Sequence, residues 1–476
     1  MKVKYSDYLE LMDDKIESLR FLLDQHFEYT SILATDVSGS SYRVASRQKS
    51  ISDYQFSERG FVVRVYQNGL YSEYSFNHFD VDDINGLALN IVDKLKKQLN
   101  MIKENSFVIL TTPMINEEER QLFVEREVEK LPDEQGIDQI VNFLTNISDH
   151  GIKADKRIIE CQAAVNMVHV NKAYFSKQKH LRQSYMFSEA NIVALAKNDS
   201  DIKMAYKGYS GAIGAEIMDQ MQNDVETVVK EAIALFDASP VEPGEYQVIC
   251  TPEVAGLIAH EAFGHGVEMD MFVKERSLAK HYMGKQVASE LVDMHDGALC
   301  AENTSSYSFD DEGVIANDTT IIDKGILVSG ICDLLSALRL QHQPTGNGKR
   351  QSFERKAYTR MTNTIFSAKN DKLDDMVASI KFGYLLDGMQ SGMEDPKNWG
   401  IQCILAKGHE IKDGKLTGKI IAPVIMTGYV PDLLKSIDMV GGEVAVFGSG
   451  YCGKGYKEYV KAADGGPYLR AKARLG

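Results

Sequence analysis

Cysteine is scarce: six occur in 476 residues, at Cys161, Cys250, Cys300, Cys332, Cys403 and Cys452, with no CxxC pair. Such wide spacing excludes a disulfide framework and predicts mostly buried thiols in a reducing compartment. Long apolar runs are missing too. No stretch of about 18 apolar residues appears, so no spanning helix is expected. The opening MKVKYSDYLELMDDKIESLRFLL mixes charged and apolar residues at helical spacing and lacks the uninterrupted core of a signal peptide. A cytoplasmic protein is expected.

Positive charge is also in deficit. With 53 basic and 68 acidic residues the net charge is −15, and no dense Lys/Arg stripe reverses it locally. Such a chain repels phosphate backbones and anionic lipid, which argues against nucleic acid and membrane as partners. No Walker pattern is present, no GxGxxG follows a predicted strand, and the glycines near 208–214 and 344–348 are too irregular for a phosphate loop. Nucleotide chemistry is unsupported. Internal repeats and low-complexity tracts are absent as well.

What is present reads as a soluble protein with real cores, 44% hydrophobic and 25% charged. Its length predicts two or three domains. Residues 6–26 form an amphipathic helical pattern, and helical spacing returns at 82–104, 117–130 and 135–150. Two β-prone runs, Gly60–Tyr66 and Leu70–Phe76, flank Asn68-Gly69, a strong hairpin signal because both turn residues tolerate positive φ. Residues 157–187 are strand-rich, and 219–236 read as one helix. Two prolines and a glycine within 240–244 mark the domain boundary. The expected fold is α+β: an N-terminal mixed α/β domain with antiparallel strands over 1–238, and a β-rich C-terminal domain over 239–476 carrying a kinked helix.

The chemistry concentrates in Val254-Ala-Gly-Leu-Ile-Ala-His260-Glu261-Ala-Phe-Gly-His265-Gly-Val-Glu268. Pro252 at a helix start and the apolar run to Ala259 place His260 and Glu261 on a helix. The usual zinc-helix signature spaces its histidines by four; here the spacing is five. At about 100° per residue, five steps leave the imidazoles roughly 140° apart on a regular helix, too far round to share one metal. A π-bulge, or a kink at Gly264, would reunite them. The metal reading makes His260 and His265 ligands and Glu261 the general base; the plain reading is two helix histidines that satisfy a core. For a third ligand, Cys452 in its glycine-dense loop competes with His281, His295, His342, His409 and several acids. The residues alone do not choose.

This pattern resembles the core motif of the TldD/PmbA family of metallopeptidases, on its TldD branch. Four further stretches agree in order: Phe309-Asp-Asp-Glu-Gly313, Arg360-Met-Thr-Asn-Thr364, Met439–Glu443 with Ser449–Lys454, and Gly465–Arg470. The N-terminal half resembles the family only diffusely. The resemblance implies zinc held by His260, His265 and Cys452, with Glu261 as catalytic acid/base. A thiolate ligand donates more charge than imidazole, which suits a slow peptidase on small or unfolded peptides. It also implies a homodimer, or a heterodimer with a PmbA-type chain that lacks the metal motif. Two departures, Gly455-Tyr-Lys-Glu after Lys454 and the segment Gly388–Trp399, bear on the substrate cleft more than on the metal.

Glu268 and, less strongly, Asp270 are placed to orient a ligand imidazole. Arg360 and Asn363 are candidates for lining the cleft or for structural bonds. Asp310, Asp311 and Glu312 read as a solvated turn, and Trp399 as a core or interface residue. Against the peptidase stand two other readings: a catalytically silent peptide-binding or assembly subunit, and a metallo-amidase with a deep narrow pocket.

Overall fold

Ser6 starts the first helix: its Oγ accepts the Leu9 N–H at 3.3 Å, and Leu9, Met12, Ile16, Leu19 and Leu23 of Asp7–Asp24 then face inward. The computed structural model of the chain describes residues 1–105, 111–455 and 458–476. Tyr456 and Lys457, part of the departure after Lys454, lie outside the described residues.

Strand-forming text over 29–211 builds an eight-stranded sheet. Its path runs Leu70–Phe76, Glu58–Gln67, Tyr29–Ala45, Ile158–Ser176, Lys179–Lys197, Arg120–Glu125. Gln48–Asp53 pairs with Tyr29–Ala45, and Ile202–Gly211 with Lys179–Lys197. The Asn68-Gly69 turn closes the expected hairpin with φ of 52° and 83°. Alternation along Ile158–Ser176 divides the sheet's surroundings. Odd-numbered residues such as Ala163, Val165, Ala173 and Phe175 pack under helices, whereas Val168, Val170 and Tyr174 meet Tyr307 and Phe309 of the C-terminal half.

Two sequence expectations are corrected here. Residues 117–130 hold the strand Arg120–Glu125, parallel to Lys179–Lys197, where neighbours in the sheet override a helical spacing. The expected single helix 219–236 is two, Ile217–Met221 and Val225–Ala234, followed by a 3₁₀ turn.

In the second half Phe382–Asp395, Gly244–Cys250, Leu469–Leu475, Val424–Tyr429 and Gly400–Lys412 pair in sequence. Gly400–Lys412 pairs back to Phe382–Asp395, so these five strands close on themselves. A six-stranded sheet lies beside them and includes Met294–Asp296, Asn363–Phe366 and Ala463–Gly466. The helix opened by Pro252 packs against both Ala463–Gly466 and Phe382–Asp395, which fixes the His260 region in the core.

Asp310, Asp311 and Glu312 are not a solvated turn: they are 2%, 5% and 2% exposed. The N-terminal sheet supplies their counter-charges, Lys172 to Asp311 and Arg64 to Glu312 at 2.5 Å, so the two halves bury them together. Trp399 is fully buried. All six cysteines are free, and only Cys300 is not buried. Among the described residues no helix is long and apolar enough to cross a membrane.

Candidate metal centre

Thr251-Pro252 begins an α-helix that changes pitch after Leu257. Residues Ile258–Gly264 are π-helical, and His265–Val267 follow as a 3₁₀ turn. The His265 N–H donates to the His260 carbonyl, an i→i+5 bond. This pitch stacks residues five apart where a regular α-helix would separate them. The two imidazoles stand 5.3 Å apart between ring centres and perpendicular.

Cys452 completes the cluster from the strand Tyr451–Lys454, with its Sγ 3.6 Å from His265 Nε2. One ligand atom from each of His260, His265 and Cys452 lies within 4.8 Å of the others. Burial opposes charge on both imidazoles, but the Cys452 thiolate outweighs it, raising His260 to about 9 and His265 well above its ordinary value. Burial likewise opposes the thiolate, yet the two imidazoles hold Cys452 well below the ordinary thiol range. Thiolate is the form that binds metal. Tetrahedral zinc, with bonds of about 2.0–2.3 Å to nitrogen and sulfur, needs donors roughly 3.5 Å apart, so this donor set fits zinc.

Glu261 lies beside the cluster, its Oε2 3.8 Å from His265 Nε2. Burial raises its pKa, against the pull of the imidazoles. Gly392, on the strand Phe382–Asp395, packs on its stem: a Cβ at Gly392 would sit 2.5 Å from Glu261 Cγ. Behind His265, Glu268 Oε2 accepts from Nδ1 at 3.2 Å and from Lys454 Nζ at 3.0 Å. Glu268 is buried, which would raise its pKa, but Lys454 and His265 hold it at about 2. Asp270 also pairs with Lys454, at 2.7 Å.

Arg360 does not line the cleft. It is 1% exposed, and its guanidinium donates to the carbonyls of Cys452 at 2.5 Å and Glu458 at 3.3 Å, anchoring the ligand strand. Asn363 is fully buried and binds the loop at Gly297, Ala301 and Ser306. The competing histidines lie elsewhere: His295 pairs with Asp318, and His342 contacts the Gln343 carbonyl. Among the described residues only His260, His265 and Cys452 form a metal-holding group.

Three residues escaped the sequence reading. Lys454 stands out in the sequence only as part of a motif. Asp464, raised to about 7 chiefly by burial, interacts with His260 from the strand Ala463–Gly466. Glu394 accepts the Gly266 N–H at 2.8 Å and lines the cleft. The one available signal for Asp464 was a lone acid in a small-residue strand. Glu261, His265, Met393, Glu394, Tyr451 and Cys452 are among the walls of an open cleft of about 530 Å³.

A family model described as the PmbA/TldA metallopeptidase C-terminal domain matches residues 243–472. A metalloprotease of Methanothermobacter thermautotrophicus is 31% identical over 283 residues, covering 59% of this chain and 61% of that protein's length. A zinc metalloprotease TldD homolog of Saccharolobus solfataricus is 27% identical over 325 residues, covering 65% of this chain and 72% of the relative. The crystal structure of TldE from Thermococcus kodakarensis shares the fold, with a TM-score of 0.74 at 17% identity, covering 97% of this chain and 99% of that one.

Proposed function

The chain belongs to the TldD/PmbA family, and on that premise we propose that it is a zinc-dependent peptidase acting on small or unfolded peptides. The observation that carries this reading is the convergence of His260, His265 and Cys452 within 4.8 Å beside the half-buried Glu261. Those three side chains would hold the zinc. When bound, it polarises the scissile carbonyl and makes water a nucleophile near neutral pH.

The remaining work falls to the chain's own residues. The Glu261 carboxylate takes the proton of the attacking water and returns it to the departing amine. Its raised pKa suits both transfers. Gly392 leaves room for its stem, and Glu268 fixes the His265 ring by accepting at Nδ1. Lys454 neutralises Glu268, and Arg360 holds the backbone of Cys452. Chains of extended peptide suit an open cleft better than the deep narrow pocket that an amidase of small molecules would need.

We further propose a two-chain assembly, either a homodimer or a pair with a PmbA/TldE-type chain. The whole-length likeness to a TldE structure supports it. That likeness also favours the second reading, a silent assembly subunit; the retained glutamate and ligand set weigh against it.

The test is zinc content together with turnover. The wild-type chain is expected to keep about one zinc after dialysis against metal-free buffer and to cleave short unstructured peptides. Glu261→Gln should keep the zinc and lose at least about 10³-fold in kcat, the scale on which general acid–base groups act. Equal turnover in that variant would remove Glu261 from the mechanism, and a chain that takes up no added zinc would leave the silent-subunit reading.

A further inference from the structure

A second cavity lies behind the ligand strand. Tyr451–Lys454 and Glu458–Lys461 form an antiparallel pair, with Tyr451 opposite Lys461 and Cys452 opposite Val460. Cys452 and Lys454 face the metal cleft, Tyr459 and Lys461 line the second cavity, and Tyr451 lines both. The far wall is the C-terminal-facing side of the eight-stranded sheet at Val170, Tyr185 and Phe187, joined by Tyr54 just past the strand Gln48–Asp53, each below 8% exposure. The Phe56 and Tyr451 rings lie 5.1 Å apart, tilted by 48°, and the Tyr54 and Tyr451 hydroxyls are hydrogen-bonded.

The cavity measures about 120 Å³. An apolar cavity of about 150 Å³ accepts a benzene ring; this space is somewhat smaller and partly polar, about the size of one ring. Most of its charges are already engaged: Arg350 holds Glu73 through both terminal nitrogens, and only its Nε lacks a partner. Lys172 is paired with Asp311 and Lys461 with Glu189. Lys349 donates to Ser305 Oγ at 2.7 Å and to the Met361 carbonyl at 3.2 Å. Burial lowers that amine to about 7 and lifts the Glu58 carboxyl to about 7, so both lean towards neutrality. Aromatic walls reward another ring through edge and face contacts. The paired tyrosine hydroxyls give a phenol one polar point.

We propose that this cavity is a side-chain subsite that takes an aromatic residue of the peptide lying across the metal cleft, with Tyr451 as the shared wall. The proposal rests on the peptidase reading and names its substrate class: peptides with a phenylalanine or tyrosine close to the scissile bond.

The experiment uses the full zinc-loaded chain and a series of alanine-based peptides in which Phe, Tyr, Leu, Lys or Glu is moved through each position. Phe or Tyr at one position should raise kcat/KM at least tenfold over Ala. Val170→Phe, which fills the cavity, should erase that preference and leave the all-alanine rate unchanged. Cleavage without aromatic preference overturns the subsite while the peptidase reading survives. A second measurement is independent of turnover: p-cresol binding to the Glu261→Gln chain by ligand-observed NMR. Binding by that chain, lost when Val170→Phe is added, supports the subsite even where no peptide is cut and the peptidase reading fails. No p-cresol binding overturns it. Should Val170→Phe fail to fold, competitive inhibition by p-cresol of the Phe-peptide cleavage supports the subsite, and absence of competition overturns it.

Discussion

Two buried charge clusters were visible as motifs in the same half of the chain, and the structure uses them oppositely. In Asp310-Asp311-Glu312 every carboxylate oxygen has a donor. Asp310 accepts backbone N–H groups of Glu312, Val314 and Gly348; Asp311 takes Lys172 and the Arg350 N–H; Glu312 takes Arg64 and the Leu334 N–H. Around the metal cleft the account stays open. His260 Nδ1, Glu268 Oε1, Arg360 Nε, Glu394 Oε1 and Asp464 Oδ1 are buried without a hydrogen-bond partner among the described residues. Buried polar atoms are normally satisfied, so these need a reason. The first cluster closes its bonds within the chain; the second leaves buried polar atoms open, although Glu268 Oε1 and Arg360 Nε face each other as an ion pair at 3.9 Å.

The sharpest way to break this contrast is Cys452→Ala. A structural zinc site is worth about 10–16 kcal/mol, so losing one of three protein ligands should cost up to about 5 kcal/mol, several thousandfold in zinc affinity. Competition with a chelator would measure it. If Cys452→Ala holds zinc as tightly as the wild type, the open valences do not converge on a metal, and the contrast collapses.

Glu312→Ala attacks the closed cluster. It leaves Arg64, which is 5% exposed, with Glu73 alone at 2.7 Å, and strands the Leu334 N–H. Removing one member of a buried ion pair costs about 3–5 kcal/mol. Denaturant unfolding should show that loss, while zinc affinity of the folded protein should stay within twofold. A variant with normal stability and altered zinc binding would reverse the assignments of the two clusters.

How far the sequence carried the reading follows the same division. The His260/His265 spacing required a non-α turn, and residues 258–264 are π-helical, because spacing along one helix is a local property. The Asn68-Gly69 hairpin was legible for the same reason. Asp310–Glu312 was misread because its partners, Arg64 and Lys172, lie more than a hundred residues away on another sheet, and local text shows only three acids in a row. Asp464 was missed likewise: its closeness to His260 comes from strand Ala463–Gly466 pairing in parallel with Asn363–Phe366 beneath the helix. The strand at 120–125 looked helical because its own spacing is ambiguous, and pairing with Lys179–Lys197 decides it.

The mildest test probes the seam between the clusters. Glu58, on the N-terminal sheet, accepts the Phe353 N–H at 3.1 Å but has no cation bound to it among the described residues. Burial lifts its pKa from 4.5 to about 7. The sign follows from that shift. Below pH 4.5 the carboxyl is protonated folded or unfolded and costs nothing; between 4.5 and 7 the unfolded chain alone gains by ionising. Stability tied to Glu58 is therefore present at low pH and lost as pH rises through 7. Glu58→Gln keeps an acceptor and cannot ionise, so it should unfold at higher denaturant than the wild type at pH 8, by about 1 kcal/mol after allowing for solvent access, with the difference gone by pH 4. A variant that is less stable at pH 8 would mean that Glu58 is ionised and paired. Its carboxylate would then belong with the closed cluster, and the cavity beside it would carry a charge that an aromatic guest would have to displace.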